Sequence, residues 1–296
     1  MKTAIVTGAT GFIGHWLLKE LIENDVFVYA VCRKNSSRLS RLANLTNIEV
    51  IELDMENIAM LPKYCSHADT FYHLAWEGER NDFISQITNI NNSAHAIQIA
   101  DKIGVKHFIM TGSQAEYGIC HDRIDENHST NPNTAYGVCK LSAYLILKVL
   151  SEQLSVSFTW VRIFSVYGND DSSNTLLISY LVNCLKENKE PELTDCKQLW
   201  DFLYAKDAAN ALYLLGNMEK TGIYNLAYGE SRILKDFIIE ARDLLNPNIK
   251  LNFGMNKNYN KGELNVNVDK IKMETGWVPK TNFKEGILKF KKINPI

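Results

Sequence analysis

Two tyrosine and lysine pairs lie four residues apart near the middle of the chain, Tyr136 with Lys140 and Tyr144 with Lys148. On a helix, residues four apart share a face, so each ammonium group could stabilise the phenolate of its tyrosine. Such a phenol, with an ordinary pKa of about 10, could then exchange protons near neutral pH. Tyr136 follows the polar segment 131–134, where a helix is expected to begin, whereas Tyr144 lies among leucines that favour packing. We therefore predict that Tyr136 and Lys140 do the chemistry.

A serine that could complete this pair follows an apolar run at residues 107–111. Ser113 stands at the expected carboxyl end of that strand. Ligands of open α/β sheets bind in crevices outside the carboxyl ends of the strands. From there the Ser113 hydroxyl could hydrogen-bond to a substrate oxygen whose proton Tyr136 gives or takes. The three residues are thus expected to act on one substrate oxygen.

A glycine-rich turn, with Gly8, Gly11 and Gly14, lies between an apolar run at residues 4–7 and a helical pattern at residues 12–23. Backbone N–H groups and the dipole of a helix in that position can face a pyrophosphate. Gly8 would allow the tight turn, Gly11 the approach of backbone to phosphate, and Gly14 the packing of helix on strand. The turn predicts a dinucleotide site.

The residues after the second apolar run bear on the identity of the dinucleotide. An acidic side chain there would hold the ribose 2′-hydroxyl of NAD, whereas a basic one would accept the 2′-phosphate of NADP. Arg33 and Lys34 stand there without a carboxylate, which favours NADP(H) because guanidinium pairs with phosphate in a forked geometry. Asp54, after the third run, is then free to accept a hydrogen bond from the adenine amine. If the basic turn is only solvated surface, NAD is the alternative.

Short apolar runs of strand length must position these residues. They are nearly continuous rather than alternating, which suits strands that helices cover on both faces. The runs lie at residues 4–7, 26–31, 48–53, 70–75, 107–111 and 159–163. Helical patterns fill the gaps at residues 12–23, 84–103 and 135–154. Alternation of strand and helix predicts an α/β fold, a Rossmann-like doubly wound parallel sheet.

The rhythm changes after about Val166, where helical segments at residues 175–186, 208–216 and 234–245 accompany one clear strand at 223–226. This pattern indicates a smaller C-terminal lobe that packs against the sheet and leaves a cleft. We expect two domains. The dinucleotide-binding domain comprises residues 1–165 with a returning segment near 199–228, and the substrate-binding lobe comprises residues 166–198 and 229–296.

Composition excludes several classes of protein. The chain has 32 basic and 34 acidic residues among 296, and its formal charge of −2 gives no field to hold a nucleic acid. The six cysteines lack the spacing of a metal site and are expected to be free thiols in a reducing compartment. No apolar stretch approaches the roughly 20 residues of a membrane span, and the start lacks a signal-peptide pattern. We therefore expect a cytoplasmic protein with no metal, membrane or nucleic-acid partner.

Together these motifs resemble the extended short-chain dehydrogenase/reductase superfamily, specifically its NAD-dependent epimerase/dehydratase, or nucleotide-sugar, branch. The resemblance covers nearly all of the chain. The pieces that carry it are the glycine turn, His73-Leu74-Ala75, Gly112-Ser113 with Tyr117-Gly118, Tyr136-Gly137 with Lys140, and Arg162-Ile163-Phe164. Looser matches are residues 198–204 with Asp207 and residues 276–279.

The resemblance implies that Ser113, Tyr136 and Lys140 are the catalytic triad and that the C-terminal lobe holds a nucleotide-diphosphate sugar. The motifs above and the resemblance together imply the residues that contact the dinucleotide. They are Gly8, Thr10, Gly11, Phe12, Ile13, Gly14, Arg33, Lys34, Asp54, Met55, Leu74, Ala75, Trp76, Thr111, Tyr136, Lys140 and Ile163. The sugar nucleotide is expected to contact Ser113, Gln114, Tyr136, Phe164, Asn174, Lys197 and Trp200. The resemblance also implies a homodimer, paired through the helices near residues 84–103 and 135–154.

Departures from the family pattern bear on the reaction. The 4,6-dehydratases carry an Asp-Glu pair after the catalytic hydroxyl, where this chain has Gln114 and Ala115, and alanine cannot serve as a general acid or base. Trp200 replaces an arginine of many relatives, so Lys197 or Lys261 could contact the phosphates instead.

With dehydration disfavoured, the basic turn points to exchangeable NADPH. For such a reductase, the family resemblance implies reduction of the C4 keto group of a nucleotide-diphosphate 4-keto-6-deoxyhexose, a step of deoxysugar and surface-glycan biosynthesis. Tyr136 would protonate the developing alkoxide in this reaction. The alternatives are an NAD-dependent 4-epimerase and a dinucleotide-binding sensor without catalysis.

Overall fold

The computed structural model of the chain describes residues 1–169, 176–257 and 262–291. The apolar runs form strands close to the bounds that the sequence predicts. The strands are β1 Thr3–Thr7, β2 Phe27–Cys32, β3 Ile48–Glu52, β4 Thr70–His73, β5 His107–Ser113, β6 Ser157–Ile163, β7 Val166–Tyr167, β8 Leu199–Trp200, β9 Leu203–Tyr204, β10 Gly222–Leu226 and β11 Arg232–Ile233.

The helices agree with the predicted periodicity, and the bounds of α1, α2, α3 and α6 differ from the predicted ones by one residue or not at all. They are α1 Phe12–Glu23, α2 Phe83–Lys102, α3 Ala135–Leu154, α4 Leu177–Lys186, α5 Ala205–Asn217, α6 Leu234–Leu245, α7 Asp269–Thr275 and α8 Phe283–Leu288. Short 3-10 helices lie at Leu39–Leu42, Met55–Lys63, Gln114–Glu116 and Lys289–Lys291. Side chains fix the starts of two of the long helices. Asp82 accepts the Ile84 N–H at α2, and Thr134 accepts the Gly137 N–H at α3.

Within the described residues, seven parallel strands form one sheet in the order β10-β6-β5-β4-β1-β2-β3. The chain winds outward in both directions from β1, which pairs with β2 on one side and β4 on the other. At such a reversal of strand order, the loops that leave the carboxyl ends diverge and leave a crevice. The predicted Rossmann-like doubly wound fold is confirmed.

Helices cover both faces of this sheet. On one face, α2 and α3 pack against buried side chains such as Phe71, Phe108 and Trp160. On the other face, α1 and α5 bury Leu17, Leu21 and Leu212. The burial of both faces explains why the strand sequences are apolar without alternation.

A third apolar core lies outside the sheet, where Tyr167, Phe202, Phe237 and Phe283 pack with residues of α4 and α6. The sequence predicts a single strand in this half of the chain, and that prediction was incomplete. The short strands β7 and β9 pair in parallel and β8 pairs with β11, but two-residue strands are too short to produce a periodic pattern. The expected strand, β10, joins the large sheet beside β6. The division into two domains stays a prediction.

Candidate active site

Two adjoining cavities open at the carboxyl edge of the sheet, of about 670 Å³ and about 540 Å³. The larger cavity, here called the reaction cavity, reaches from the glycine turn to the ends of β5 and β6. The smaller one, here called the ribose cavity, is lined by residues that follow β2 and β3. Both are lined by the same central residues, Gly8, Gly11, Arg38, Leu74 and Trp76. One elongated ligand could therefore occupy the two cavities together.

The glycine turn is tight enough to exclude side chains. Gly8 has a φ of +72°, and a Cβ atom there would also lie 2.9 Å from the backbone nitrogen of Ala75. A Cβ atom on Gly14 would collide with the Gly8 carbonyl oxygen. Gly11 caps α1, and its N–H donates to that carbonyl oxygen at 2.9 Å. The bare backbone at the start of α1 forms a cradle that fits the pyrophosphate of a dinucleotide.

The ribose cavity contains most of the residues that the sequence proposes for the adenosine end of the cofactor. Thr10, Arg33, Asp54, Met55 and Ala75 line it. Lys34 is not among the described residues that line either cavity. Its backbone N–H donates to an Asp54 side-chain oxygen at 3.1 Å.

The Arg33 guanidinium already has a partner in the ribose cavity. It donates to a carboxylate oxygen of Glu77 at 3.2 Å, and both side chains are largely exposed. A pair this exposed is weak, so a stronger anion could displace Glu77. Arg38 also lines this cavity, beside Ser36 and Ser37. The loop after β2 therefore offers two guanidinium groups, although the sequence analysis named only Arg33.

The tyrosine and lysine that the sequence proposes as catalytic lie in the first two turns of α3, on the wall of the reaction cavity. The Lys140 Nζ donates to the Thr111 carbonyl oxygen at 2.8 Å, and it lies 3.8 Å from the Trp76 ring centroid and 5.8 Å from that of Tyr136. Tyr144, in contrast, packs on Phe158 and Trp160.

Ser113 ends β5 and lines the same cavity. Its side-chain oxygen accepts the Ala115 N–H at 3.2 Å, and its own N–H donates to a Glu116 carboxylate oxygen at 2.7 Å. A hydrogen bond also joins the Ser113 and Tyr136 side chains. The structure thus brings Ser113, Tyr136 and Lys140 together, although the chain separates the first two by 23 residues (136 − 113).

Burial changes the acidity of both residues on α3. It raises the pKa of Tyr136, while the hydrogen bond from Ser113 and the charge of Arg80 oppose that rise. Burial lowers the pKa of Lys140 to about 7, and the negative charge of Glu116 opposes that fall. Tyr136 is therefore a neutral phenol near pH 7, where the charge of Lys140 is sensitive to its surroundings.

Some of the remaining predicted residues line the reaction cavity, and others do not. Lining the reaction cavity are Phe12, Ile13, Thr111, Gln114, Ile163, Phe164 and Trp200. Gln114 Oε1 and Trp200 Nε1 are buried without a hydrogen-bond partner among the described residues. The side chain of Lys197 is 83% exposed and lies 3.8 Å from Asp195, away from both cavities. Asn174 and Lys261 fall outside the described residues.

The sequence analysis missed several residues that line the reaction cavity. Arg80 places its guanidinium carbon 5.2 Å from the Tyr136 ring centroid, and its carbonyl oxygen accepts the Tyr136 N–H at 3.0 Å. Tyr167 and Phe202 form part of the aromatic wall opposite the glycine turn. Arg80 lies in a loop without a motif, so its position depends on the fold. Phe202 lies in the segment 198–204, which carries a looser match to the family, whereas Tyr167 lies in no motif.

The described residues contain no group of three or more His, Cys, Asp or Glu side chains that could bind a metal ion. Across the same residues, no helix combines the length and apolar character needed to cross a membrane.

Comparisons with known proteins identify relatives of this chain in sequence and in fold. The chain is 25% identical over 240 residues to dTDP-6-deoxy-L-talose 4-dehydrogenase (NAD(+)) of Aggregatibacter actinomycetemcomitans, covering 80% of this chain and 88% of that protein. It is 27% identical over 302 residues to CDP-abequose synthase of Salmonella typhimurium, covering 96% and 95%. A solved structure of UDP-N-acetylglucosamine 4-epimerase from Methanobrevibacter ruminantium M1, in complex with UDP-N-acetylmuramic acid, shares the fold with a TM-score of 0.88 and 23% identity over 99% of both chains.

The family model described as the NAD dependent epimerase/dehydratase family matches residues 4–227 of the 296. The matched region begins within β1 and ends just after β10, so it contains all seven strands of the large sheet. Because the match covers most of the chain and the whole of this sheet, the chain belongs to the NAD dependent epimerase/dehydratase family.

Proposed function

We propose that the chain uses NADPH to reduce the C4 keto group of a nucleotide-diphosphate 4-keto-6-deoxyhexose. The observation that carries the proposal is that Ser113, Tyr136 and Lys140 line one cavity together with the glycine turn. The relative from Aggregatibacter is named as a 4-dehydrogenase of a dTDP-6-deoxy sugar, and keto reduction is the reverse of that reaction. The catalytic and binding roles assigned here to single residues belong to this proposal.

The protonation state of Tyr136 suits the role of the acid in a keto reduction. A bound nicotinamide dinucleotide would supply the hydride for C4. Tyr136 would protonate the oxygen that becomes negative, and its raised pKa keeps the proton available for that step. The Ser113 hydroxyl would hydrogen-bond to the same oxygen. Lys140 would stabilise the phenolate that remains on Tyr136.

Dehydration does not suit the residues beside Ser113. Loss of water from a sugar needs an acid for the leaving hydroxyl and a base for the proton on carbon. Gln114 and Ala115 follow Ser113 in the chain and offer neither. Gln114 instead lines the cavity with an uncharged amide, whose buried oxygen has no hydrogen-bond partner among the described residues.

The preference for NADPH is supported by the guanidinium groups of Arg33 and Arg38 in the ribose cavity. A 2′-phosphate with two negative charges would compete with the single charge of Glu77 for Arg33. The opposite preference leads to a second candidate function, an NAD-dependent 4-epimerase. The Arg33–Glu77 pair favours that candidate, because Glu77 offsets the charge of one of the two guanidinium groups that could bind a 2′-phosphate.

We also propose that two copies of the chain pair through α2 and α3, which pack side by side on the same face of the sheet. Their outer surface exposes large apolar side chains, and Ile84 is 82% exposed. The others are Phe83, Ile87, Val138, Leu145, Ile146 and Val149. Apolar patches on soluble proteins commonly mark contacts with other chains.

The cytoplasmic location stays a prediction.

The reaction can be tested with a freshly prepared dTDP-4-keto-6-deoxyhexose and either NADPH or NADH. Oxidation of the cofactor, measured by the loss of reduced-nicotinamide absorbance, with a 4-hydroxyl sugar as product would support the reductase. The matched control is the Tyr136→Phe protein, which lacks only the phenolic oxygen. Interconversion of C4 epimers without net cofactor oxidation would replace the reductase with the epimerase. Binding of the dinucleotide with neither reaction would favour a non-catalytic sensor.

A further inference from the structure

A buried carboxylate that the proposed mechanism does not use lies directly behind the reaction cavity. Glu116 belongs to the short 3-10 helix that follows β5, and it has no exposed surface. Its two oxygens accept hydrogen bonds from the Trp160 indole N–H at 3.0 and 3.1 Å and from Arg162 Nε at 2.8 Å. One of them also accepts the Ser113 backbone N–H at 2.7 Å. Glu116 therefore connects β6 to the residue that ends β5.

Buried groups pack closely around the Glu116 carboxylate. A Cβ atom on Gly112 would collide with the Trp160 indole nitrogen and lie 2.5 Å from a Glu116 oxygen, so position 112 must be glycine for this arrangement. The Arg162 guanidinium is almost completely buried, and it also donates to the Tyr117 hydroxyl at 2.9 Å. A carboxylate with a guanidinium and two N–H donors is fully satisfied as an anion.

We propose that Glu116 is a positioning residue of the reaction, which holds the backbone of Ser113 so that the serine hydroxyl faces Tyr136. The inference rests on the proposed function, because it assigns the Ser113 hydroxyl to the substrate oxygen. A neutral or apolar side chain at position 116 would leave the buried Arg162 charge without its anion. An apolar side chain there would also free the Ser113 amide, and the end of β5 could then rotate.

The charge of Glu116 also acts on Lys140. Burial lowers the pKa of Lys140, and Glu116 is the group whose charge opposes this. Other titratable groups near Lys140 are Tyr136 on α3 and His73 on β4, and burial lowers the pKa of His73 to about 3, so that it stays neutral. Glu116 therefore keeps Lys140 protonated at pH values where burial alone would neutralise it.

The first test compares the wild-type enzyme with the Glu116→Gln variant across pH, using the sugar and cofactor that the wild type accepts. We expect kcat to fall by at least about tenfold while the Kd of the dinucleotide changes less than about twofold, because Glu116 touches no cavity surface. The basic limb of the kcat profile should move to lower pH by up to about one unit. Unchanged kcat and an unchanged profile would overturn the proposal.

A matched control separates this effect from the general loss of a carboxylate. Glu126 is also partly buried and accepts a backbone N–H, from Asn225 at 2.9 Å, but it lines neither cavity. Glu126→Gln should leave kcat and its pH profile unchanged. The double variant Glu116→Met with Arg162→Met removes both buried charges and the acceptor of the Ser113 N–H, so it also serves if the single variant does not fold. Its kcat should fall by at least about tenfold, with a smaller displacement of the profile because the loss of Arg162 offsets part of the loss of Glu116. A wild-type kcat would overturn the proposal.

A second test needs no substrate, so its outcome does not depend on the reaction. It measures the melting temperature gained on Lys140→Met, once in the wild-type background and once in the Glu116→Gln background. If Glu116 supports the Lys140 charge, the gain is larger in the second background below about pH 7, and the two gains converge above that pH, where folded Lys140 is neutral in both backgrounds. Equal gains at every pH would show that the two residues are uncoupled and would overturn the electrostatic part of the inference.

Discussion

The Lys140 ammonium nitrogen lies 3.8 Å from the centroid of the Trp76 indole ring, with nearly all of its surface buried. The ring face attracts the cation, which also donates a hydrogen bond to the Thr111 carbonyl oxygen. These contacts only partly replace water, so the pKa of Lys140 falls to about 7. The tryptophan that follows the fourth strand thus helps to hold a charge whose loss would weaken the proposed acid, Tyr136.

We predict that Lys140→Met makes the protein more resistant to heat, and that the gain depends on pH. Since the folded state lowers the pKa of Lys140 from 10.5 to about 7, the charged form opposes folding. The penalty is full below pH 7 and fades as pH rises toward 10.5, so wild-type stability should increase over that interval. The gain in melting temperature should therefore be larger at about pH 6 than at about pH 9. A gain independent of pH would contradict the lowered pKa.

Replacement of Tyr136 by Phe should remove the proton donor and leave the fold intact. We expect kcat to fall by a factor on the order of a hundred or more, since general acid catalysis contributes about that much. Dinucleotide affinity should change little, because the phenolic oxygen faces Ser113. Steady-state kinetics with the keto sugar, combined with a cofactor titration, measures both quantities. Full turnover by this variant would refute the proposed mechanism.

Cofactor preference can be tested by replacing basic residues of the loop after β2, of which Arg33 and Arg38 line the ribose cavity and Lys34 does not. Arg33→Ala and Arg38→Ala should each weaken NADPH binding by about tenfold or more and leave NADH binding unchanged, because both side chains line the ribose cavity. Lys34→Ala is the matched control and should change neither affinity. Glu77→Gln should strengthen NADPH binding, since it frees Arg33. Equal NADPH and NADH affinities in all of these proteins would favour the NAD-dependent alternative.

The proposed dimer depends on the outer surface of α2 and α3. Leu145 is 54% exposed there, and a charge at the centre of a buried apolar contact is costly. We therefore expect Leu145→Glu to convert a dimer into a monomer, as measured by sedimentation velocity at several concentrations. Met273 on α7 is 79% exposed, so Met273→Glu is the control and should not change the sedimentation coefficient. A wild-type protein that sediments as a monomer would contradict the proposal.

The sequence predicts the large sheet well because its strands are buried on both faces. Continuous apolar runs such as that at β5 and the turn with Gly8, Gly11 and Gly14 are local signals, and a local signal is readable without the fold. Tyr136 and Lys140 are also a local signal, because residues four apart on a helix share one face. The positions of these elements in the structure agree with the sequence in each case.

The features that the sequence could not reveal are pairs formed across the fold. Arg33 meets Glu77, which is 44 residues away, and Glu116 meets Arg162, which is 46 residues away. Both contacts arise because parallel strands bring the ends of distant segments to one edge. The position of Arg38 could not be predicted for a related reason. This residue lies in a polar loop, and no periodic pattern in the sequence predicts the path of that loop.

The position of β10 has a consequence for how this protein folds. Strand β6 gains its second neighbour only when Gly222–Leu226 arrives, and Tyr224 and Leu226 of that strand are fully buried. A fragment that ends at residue 165 would expose β6 as an unpaired apolar edge, which favours aggregation. The nascent chain therefore cannot finish its dinucleotide-binding sheet until residue 226 has left the ribosome. Heat or denaturant should accordingly unfold the residues before and after position 165 in one cooperative transition.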